Sequence, residues 1–122
     1  MKDKKHTYII QKYLKNNLLF QRRKFDIRTY VLLVSIGGIK KFYWYSEGYL
    51  RTASEIYDLS DLDDPFIHLT NDAIQANGDN YSKYEKGNKI TYHEFQRYLD
   101  INYPDEKYSV ASLVHNMKNI AK

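Results

Sequence analysis

A chain of 122 residues has room for one ordinary domain, and with no cysteine it holds neither a disulfide scaffold nor a thiolate metal site. Thirteen tyrosines, five phenylalanines and one tryptophan bring enough amphipathic surface to build a core, so the composition is not that of a disordered chain. The formal charge of +4 hides a split, because residues 1–51 carry twelve Lys/Arg against three Asp/Glu while residues 52–122 carry seven against twelve.

The basic start, MKDKKHTYII, is followed by an apolar run too short for a signal peptide or a membrane span, and the chain reads as soluble and intracellular. Residues 6–14, HTYIIQKYL, have the Tyr and Ile content of a strand, and 16–23, NNLLFQRR, read as a turn before the next one. Then KFDIRTYVLLVSI (24–36) runs into Gly37-Gly38, a two-residue hairpin signal, and IKKFYWYSEGYLR (39–51) returns as an aromatic strand with a second bend at Gly48.

The first of these strands opens with Lys24, Asp26 and Arg28, whose spacing of two puts all three on one face, with Phe25 and Ile27 on the other. Apolar residues on both faces further along predict a central strand. Half-buried charges need partners, and two arrangements meet that need. Asp26 bridges Lys24 and Arg28 at the sheet rim, or the cations face a phosphate or carboxylate that Asp26 helps to orient. Arg51 follows a strand beside Thr52 and Ser54, so it either points at an anion or is a plain surface arginine.

Downstream, DLSDLDDPF (58–66) and NGDNYSKYEKGNK (77–89) read as polar loops around the short element IHLTNDAIQ (67–75). His68 in that element is either a satisfied histidine or a ligand or base. Thr91 with Glu94 is a capping box, followed by Phe95, Tyr98 and Leu99 at helical spacing. Residues 108–121 predict a second amphipathic helix, with Val110, Leu113, Val114 and Met117 on one side and Asp105 and Glu106 near its start. The four histidines have no partner at metal-ligand spacing, and neither HExxH, GxGxxG nor a Walker-type loop occurs.

Five ordered blocks, IIQKYL (9–14), RKFDIRTYVLLV (23–34), YSEGYLRTASEIY (45–57), HLTNDAIQ (68–75) and NYSKYEKGNKITYHEFQRYL (80–99), resemble the tubulin–tyrosine ligase family over about residues 8–100. The resemblance implies an α/β (α+β) fold, residues 1–122 forming a single partial ATP-grasp domain in which an antiparallel sheet with a hairpin at Gly37-Gly38 packs on amphipathic helices. It implies ATP as cosubstrate, magnesium as cofactor and tubulin or microtubules as partner, through an acidic tail, at the cytoskeleton or cilium.

Residue by residue, the resemblance places Gln11, Lys12, Tyr13 and Leu14 in the adenine-cradling hinge. Lys24 and Asp26 fall at the nucleotide, with Thr70 and Asn71 on the same side. Arg28 and Arg51 face the acidic tail or the incoming amino acid, and His68 is grouped with them as a substrate-binding residue. The family's magnesium-binding Glu-x-Asn-Pro strand belongs after the last helix. LDINYP (99–104) imitates it too early and is read as a helix-ending turn, and the upstream phosphate-binding lysine and glycine-rich loop are not matched. These 122 residues alone are therefore expected to be a poor catalyst, inactive as an isolated chain.

Glutamate-adding relatives place a lysine where this chain has Asp72-Ala73-Ile74-Gln75-Ala76, and the last block reads closer to the tyrosine ligase itself, so tyrosine is the favoured added residue. A second function class is a non-catalytic module whose Lys12, Lys24, Arg28 and Arg51 dock on an acidic partner. Nucleic-acid binding through Tyr43 and Trp44 fits the charge too, but the ordered blocks explain the same residues better.

Overall fold

The computed structural model describes residues 8–121. Its organising feature is a three-stranded antiparallel sheet of β1 (Phe25–Arg28), β4 (Tyr49–Thr52) and β5 (Lys89–Thr91), with β4 in the middle. The register aligns Ile27, Leu50 and Ile90 in one row and Asp26, Arg51 and Lys89 in the next. Because side chains alternate across a strand, the first row faces the core and the second faces away from it.

Leu50 and Ile90 are buried with Phe20, Phe95, Leu99 and Val110, and Phe25, Ile27, Tyr92, Tyr98, Tyr103 and Val114 pack around them. The helix α3 (Tyr92–Asn102) lays Phe95 and Leu99 on this face. Its start is fixed by the predicted capping box, in which Thr91 Oγ1 accepts from the Glu94 amide at 3.2 Å and the Glu94 carboxylate accepts from the Thr91 amide at 2.7 Å. Those bonds hold the Glu94 carboxyl below its usual range.

The run 24–36 is not one central strand. It breaks at Thr29-Tyr30, and β1 pairs only with β4, so it is an edge among the described residues. The remainder forms β2 (Val31–Ile36), which pairs with β3 (Ile39–Trp44) in a separate two-stranded sheet. Gly37 and Gly38 join them with φ of 57° and 81°, the left-handed pair that a two-residue hairpin requires. Both faces of this hairpin expose apolar side chains, including Leu33, Ile36, Ile39 and Phe42.

Between Trp44 and Tyr49 the chain passes from one sheet to the other, bending at Ser46 and not at the expected Gly48. A Cβ on Gly48 would sit 2.6 Å from the Arg28 carbonyl oxygen and collide with the Tyr92 hydroxyl, so close approach rather than φ demands glycine.

Residues 8–14 differ from expectation. They run without regular secondary structure, and the preceding residues 6 and 7 of the predicted strand lie outside the described residues. The segment 67–75 resolves into two single-turn helices, α1 (Pro65–His68) and α2 (Asp72–Gln75), and LDINYP closes α3 as expected, with Tyr103 at its end. The last helix, α4 (Val110–Ile120), is capped by Ser109, so Asp105 and Glu106 lie in the preceding turn rather than at its start.

One ion pair locks the loop before β5 onto the sheet. The guanidinium of Arg23, 1% exposed, is gripped through both terminal nitrogens by Glu85. It also donates to Thr52 Oγ1 at 3.3 Å and the Ala53 carbonyl at 3.2 Å, and lies 4.3 Å from the Tyr84 ring centre. Asn88, also buried, donates to the Thr52 carbonyl and Ser54 Oγ and accepts from the Ser82 amide. Removing one partner of a buried pair strands the other charge, so Glu85→Ala is expected to cost about 3 kcal/mol. Urea unfolding should show a midpoint well below wild type, and an unchanged midpoint would show that water replaces the carboxylate.

Candidate functional site

The polar face of the sheet and the segment over it bring the predicted residues into two adjoining groups. The first gathers around His68. Its Nε2 lies 2.7 Å from the Asp61 carbonyl oxygen, which only accepts, so Nε2 carries the proton in the neutral ring. Nδ1 is then an acceptor, and the Tyr13 hydroxyl donates to it at 2.8 Å. Lys24 Nζ donates to the Tyr13 hydroxyl at 3.3 Å and to the His68 carbonyl at 2.9 Å, and sits 4.7 Å from the Tyr13 ring centre. His68 is thus a satisfied, buried histidine that aims Tyr13, and through it Lys24.

Beside this group lies a cleft of about 420 Å³ lined by Tyr13, Lys15, Leu62, Pro65, His68 and Leu69, with Asp63 and Asp64 also at its wall. Among the described residues, the backbone N–H groups of Gln11, Lys12 and Tyr13 are not engaged by backbone acceptors. The mostly apolar walls of this cleft suit a flat ring, and the Lys24 ammonium held beside Tyr13 and His68 is a cation near it.

The second group is the outward row of the sheet. Asp26 does not bridge Lys24 and Arg28. It reaches across to Arg51 and accepts from Nε at 2.9 Å and from Nη2. This side-on grip raises the Arg51 pKa, hydrogen bonding to Asp26 outweighing the opposing effect of burial. Arg28 is exposed, and no carboxylate pairs with it among the described residues.

Asn71 caps α2 through its side chain, which accepts from the Ala73 amide at 3.0 Å, and Thr70 is half-buried just before it. These two link His68 of the first group to Asp72 of the second. Asp72 pairs with Lys89 Nζ at 3.1 Å and accepts from the Tyr81 hydroxyl at 3.0 Å. Burial pushes the Asp72 carboxyl up, yet the bonds from Lys89 and Tyr81 outweigh it and leave the pKa below the usual 3.8. Lys89 is raised in turn, chiefly by its bond to Asp72.

Sequence reasoning missed Lys89. Its strand is three residues long, and the alternation Lys89-Ile90-Thr91 before the capping box was the one available signal.

A depressed carboxyl stabilises the fold above its unfolded pKa, and that contribution is lost as pH falls through the folded value. Asp72→Asn is therefore expected to be less stable than wild type at pH 7, by under about 1 kcal/mol since the pair is half-exposed. The difference should shrink as the pH falls below 3.8, the ordinary carboxyl value, and vanish once it passes below the lower folded value. Thermal unfolding across pH checks this, and a difference that persists unchanged at pH 3 would exclude the ion pair as its source.

The Tubulin-tyrosine ligase family model matches residues 1–121. A probable alpha-tubulin polyglutamylase, Ttll1, of Tetrahymena thermophila is 40% identical over 101 residues, 81% of this chain and 24% of the relative. A probable tubulin polyglutamylase, TTLL9, of Bos taurus is 34% identical over 114 residues, 93% of this chain and again 24% of the relative. A probable tubulin polyglutamylase, TTLL2, of Homo sapiens is 41% identical over 96 residues, 75% of this chain and 16% of the relative. The chain thus spans about a quarter or less of the length of these relatives.

Proposed function

Because this chain belongs to the tubulin-tyrosine ligase family, we propose that it forms the nucleotide wall and the acidic-substrate face of an ATP-dependent amino-acid ligase acting on tubulin. Residues 1–122 are then one partial ATP-grasp domain working at the cytoskeleton, cilia included. The observation that carries this reading is the adjacency of the two groups: an apolar slot with a tethered lysine beside a sheet face bearing Arg28 and Arg51.

In this reading Gln11, Lys12, Tyr13 and Leu14 hold the adenine, with Lys24, Asp26, Thr70 and Asn71 on the phosphate side. ATP supplies the phosphoryl group that activates a carboxylate for amide formation. Arg28 and Arg51 draw in the acidic tail and offset the negative charge that collects as the carboxylate and phosphate approach. Asp26 keeps Arg51 oriented, and His68 keeps Tyr13 and Lys24 in place. Among the described residues no group of three or more His, Asp or Glu is placed to hold a metal.

That these relatives are probable polyglutamylases supports glutamate as the added residue. The structure removes one obstacle to it, since Lys89 offsets the anion at Asp72. Tyrosine is the second reading, favoured by the run 72–76, which contains no cation.

Titration calorimetry with ATP should show binding that weakens about tenfold in Lys24→Ala, equivalent to ~1.4 kcal/mol. With ATP, magnesium, tubulin and labelled amino acids, the chain should incorporate glutamate slowly and in preference to tyrosine, whereas preference for tyrosine would establish the second reading. No ATP binding at all would sink the ligase reading and leave a non-catalytic microtubule-binding module.

A further inference from the structure

The register sets Arg51 of β4 directly opposite Lys89 of β5, at the outward face of the sheet. Opposed residues on paired strands hold their Cβ atoms about 5 Å apart, and like charges so placed repel. Each cation has a resting carboxylate, Asp26 for Arg51 and Asp72 for Lys89, but the two pairs are not equivalent.

Asp26 grips Arg51 by two nitrogens, leaving Nη1 without a hydrogen bond among the described residues. Lys89 and Asp72 meet at half-exposed side chains, 37% and 45%, where an ion pair contributes little and exchanges readily. Asp72 would not be left bare on losing Lys89, because the Tyr81 hydroxyl still donates to it.

We propose that Lys89 is a further substrate-binding residue, which leaves Asp72 to take, together with Arg51, a side-chain carboxylate of a glutamate-rich peptide. The exposed Arg28, on the same face as Arg51, extends the cationic surface along the sheet. Two cations held side by side, one with a spare donor and one on a weak tether, are the arrangement a carboxylate completes, since it relieves their mutual repulsion. The inference rests on the acidic-substrate reading above.

The test is fluorescence anisotropy of a labelled hexaglutamate peptide at low ionic strength, with wild type, Lys89→Met, Lys89→Arg and Asp72→Asn. Lys89→Met is expected to weaken binding about tenfold and Lys89→Arg to restore most of it. Asp72→Asn should bind as well as wild type or better. Thermal unfolding should show both variants folded, with Asp72→Asn the less stable of the two, because it leaves Lys89 facing Arg51 without its carboxylate.

A merely structural pair predicts that both variants lose peptide binding equally, and that result, or wild-type binding by Lys89→Met, would overturn the proposal. Calorimetry with ATP on the same samples separates the two claims. ATP binding without peptide binding would overturn the Lys89 assignment alone, and Lys89-dependent peptide binding without ATP binding would uphold it while removing the ligase reading.

Discussion

The arrangement depends on burying one arginine. Arg23 lies under the turn between Phe20 and β1, and its guanidinium is reached from a distant loop by Glu85 and from the end of β4 by Thr52 and the Ala53 carbonyl. A guanidinium so enclosed is tolerable only if fully bonded, so the loop must close over it in one register. That register fixes Asn88, which ties back to Thr52 and Ser54, and so fixes where β5 meets β4.

From that closure the two faces of the sheet follow. Ile27, Leu50 and Ile90 form an apolar row against α3, and the alternation of side chains compels Asp26, Arg51 and Lys89 into a parallel row on the other side. The core thus places the charges. His68 works in the same spirit from above the sheet, its two ring nitrogens committed to Asp61 and Tyr13, so that Tyr13 meets Lys24 in one orientation. The result is a surface on which Arg51 is held firmly by Asp26 and Lys89 loosely by Asp72, beside a mostly apolar slot.

Much of this was legible in the residues themselves. Gly37-Gly38 allowed only a tight hairpin, Thr91 with Glu94 announced the start of α3, and LDINYP was a helix end. Elsewhere local pattern misled, for reasons of geometry. The apolar run after Arg28 looked like one continuous strand because periodicity does not show where a chain leaves one sheet for another, and the break at Thr29-Tyr30 carries no glycine or proline. Lys24, Asp26 and Arg28 share a face as expected, yet the partner of Asp26 is Arg51, a cross-strand neighbour that only tertiary pairing supplies. Lys89 was hidden for the same reason, on a strand too short to show a period.

The most direct measurement of the central claim, that the outward row of this sheet receives an acidic chain, is amide and side-chain chemical-shift mapping of the protein during titration with hexaglutamate. The account predicts shifts concentrated at Arg28, Arg51, Asp72 and Lys89, with the hairpin residues Leu33 and Phe42 unmoved. Shifts centred on the hairpin, or spread evenly over the lysines of the N-terminal half, would contradict it.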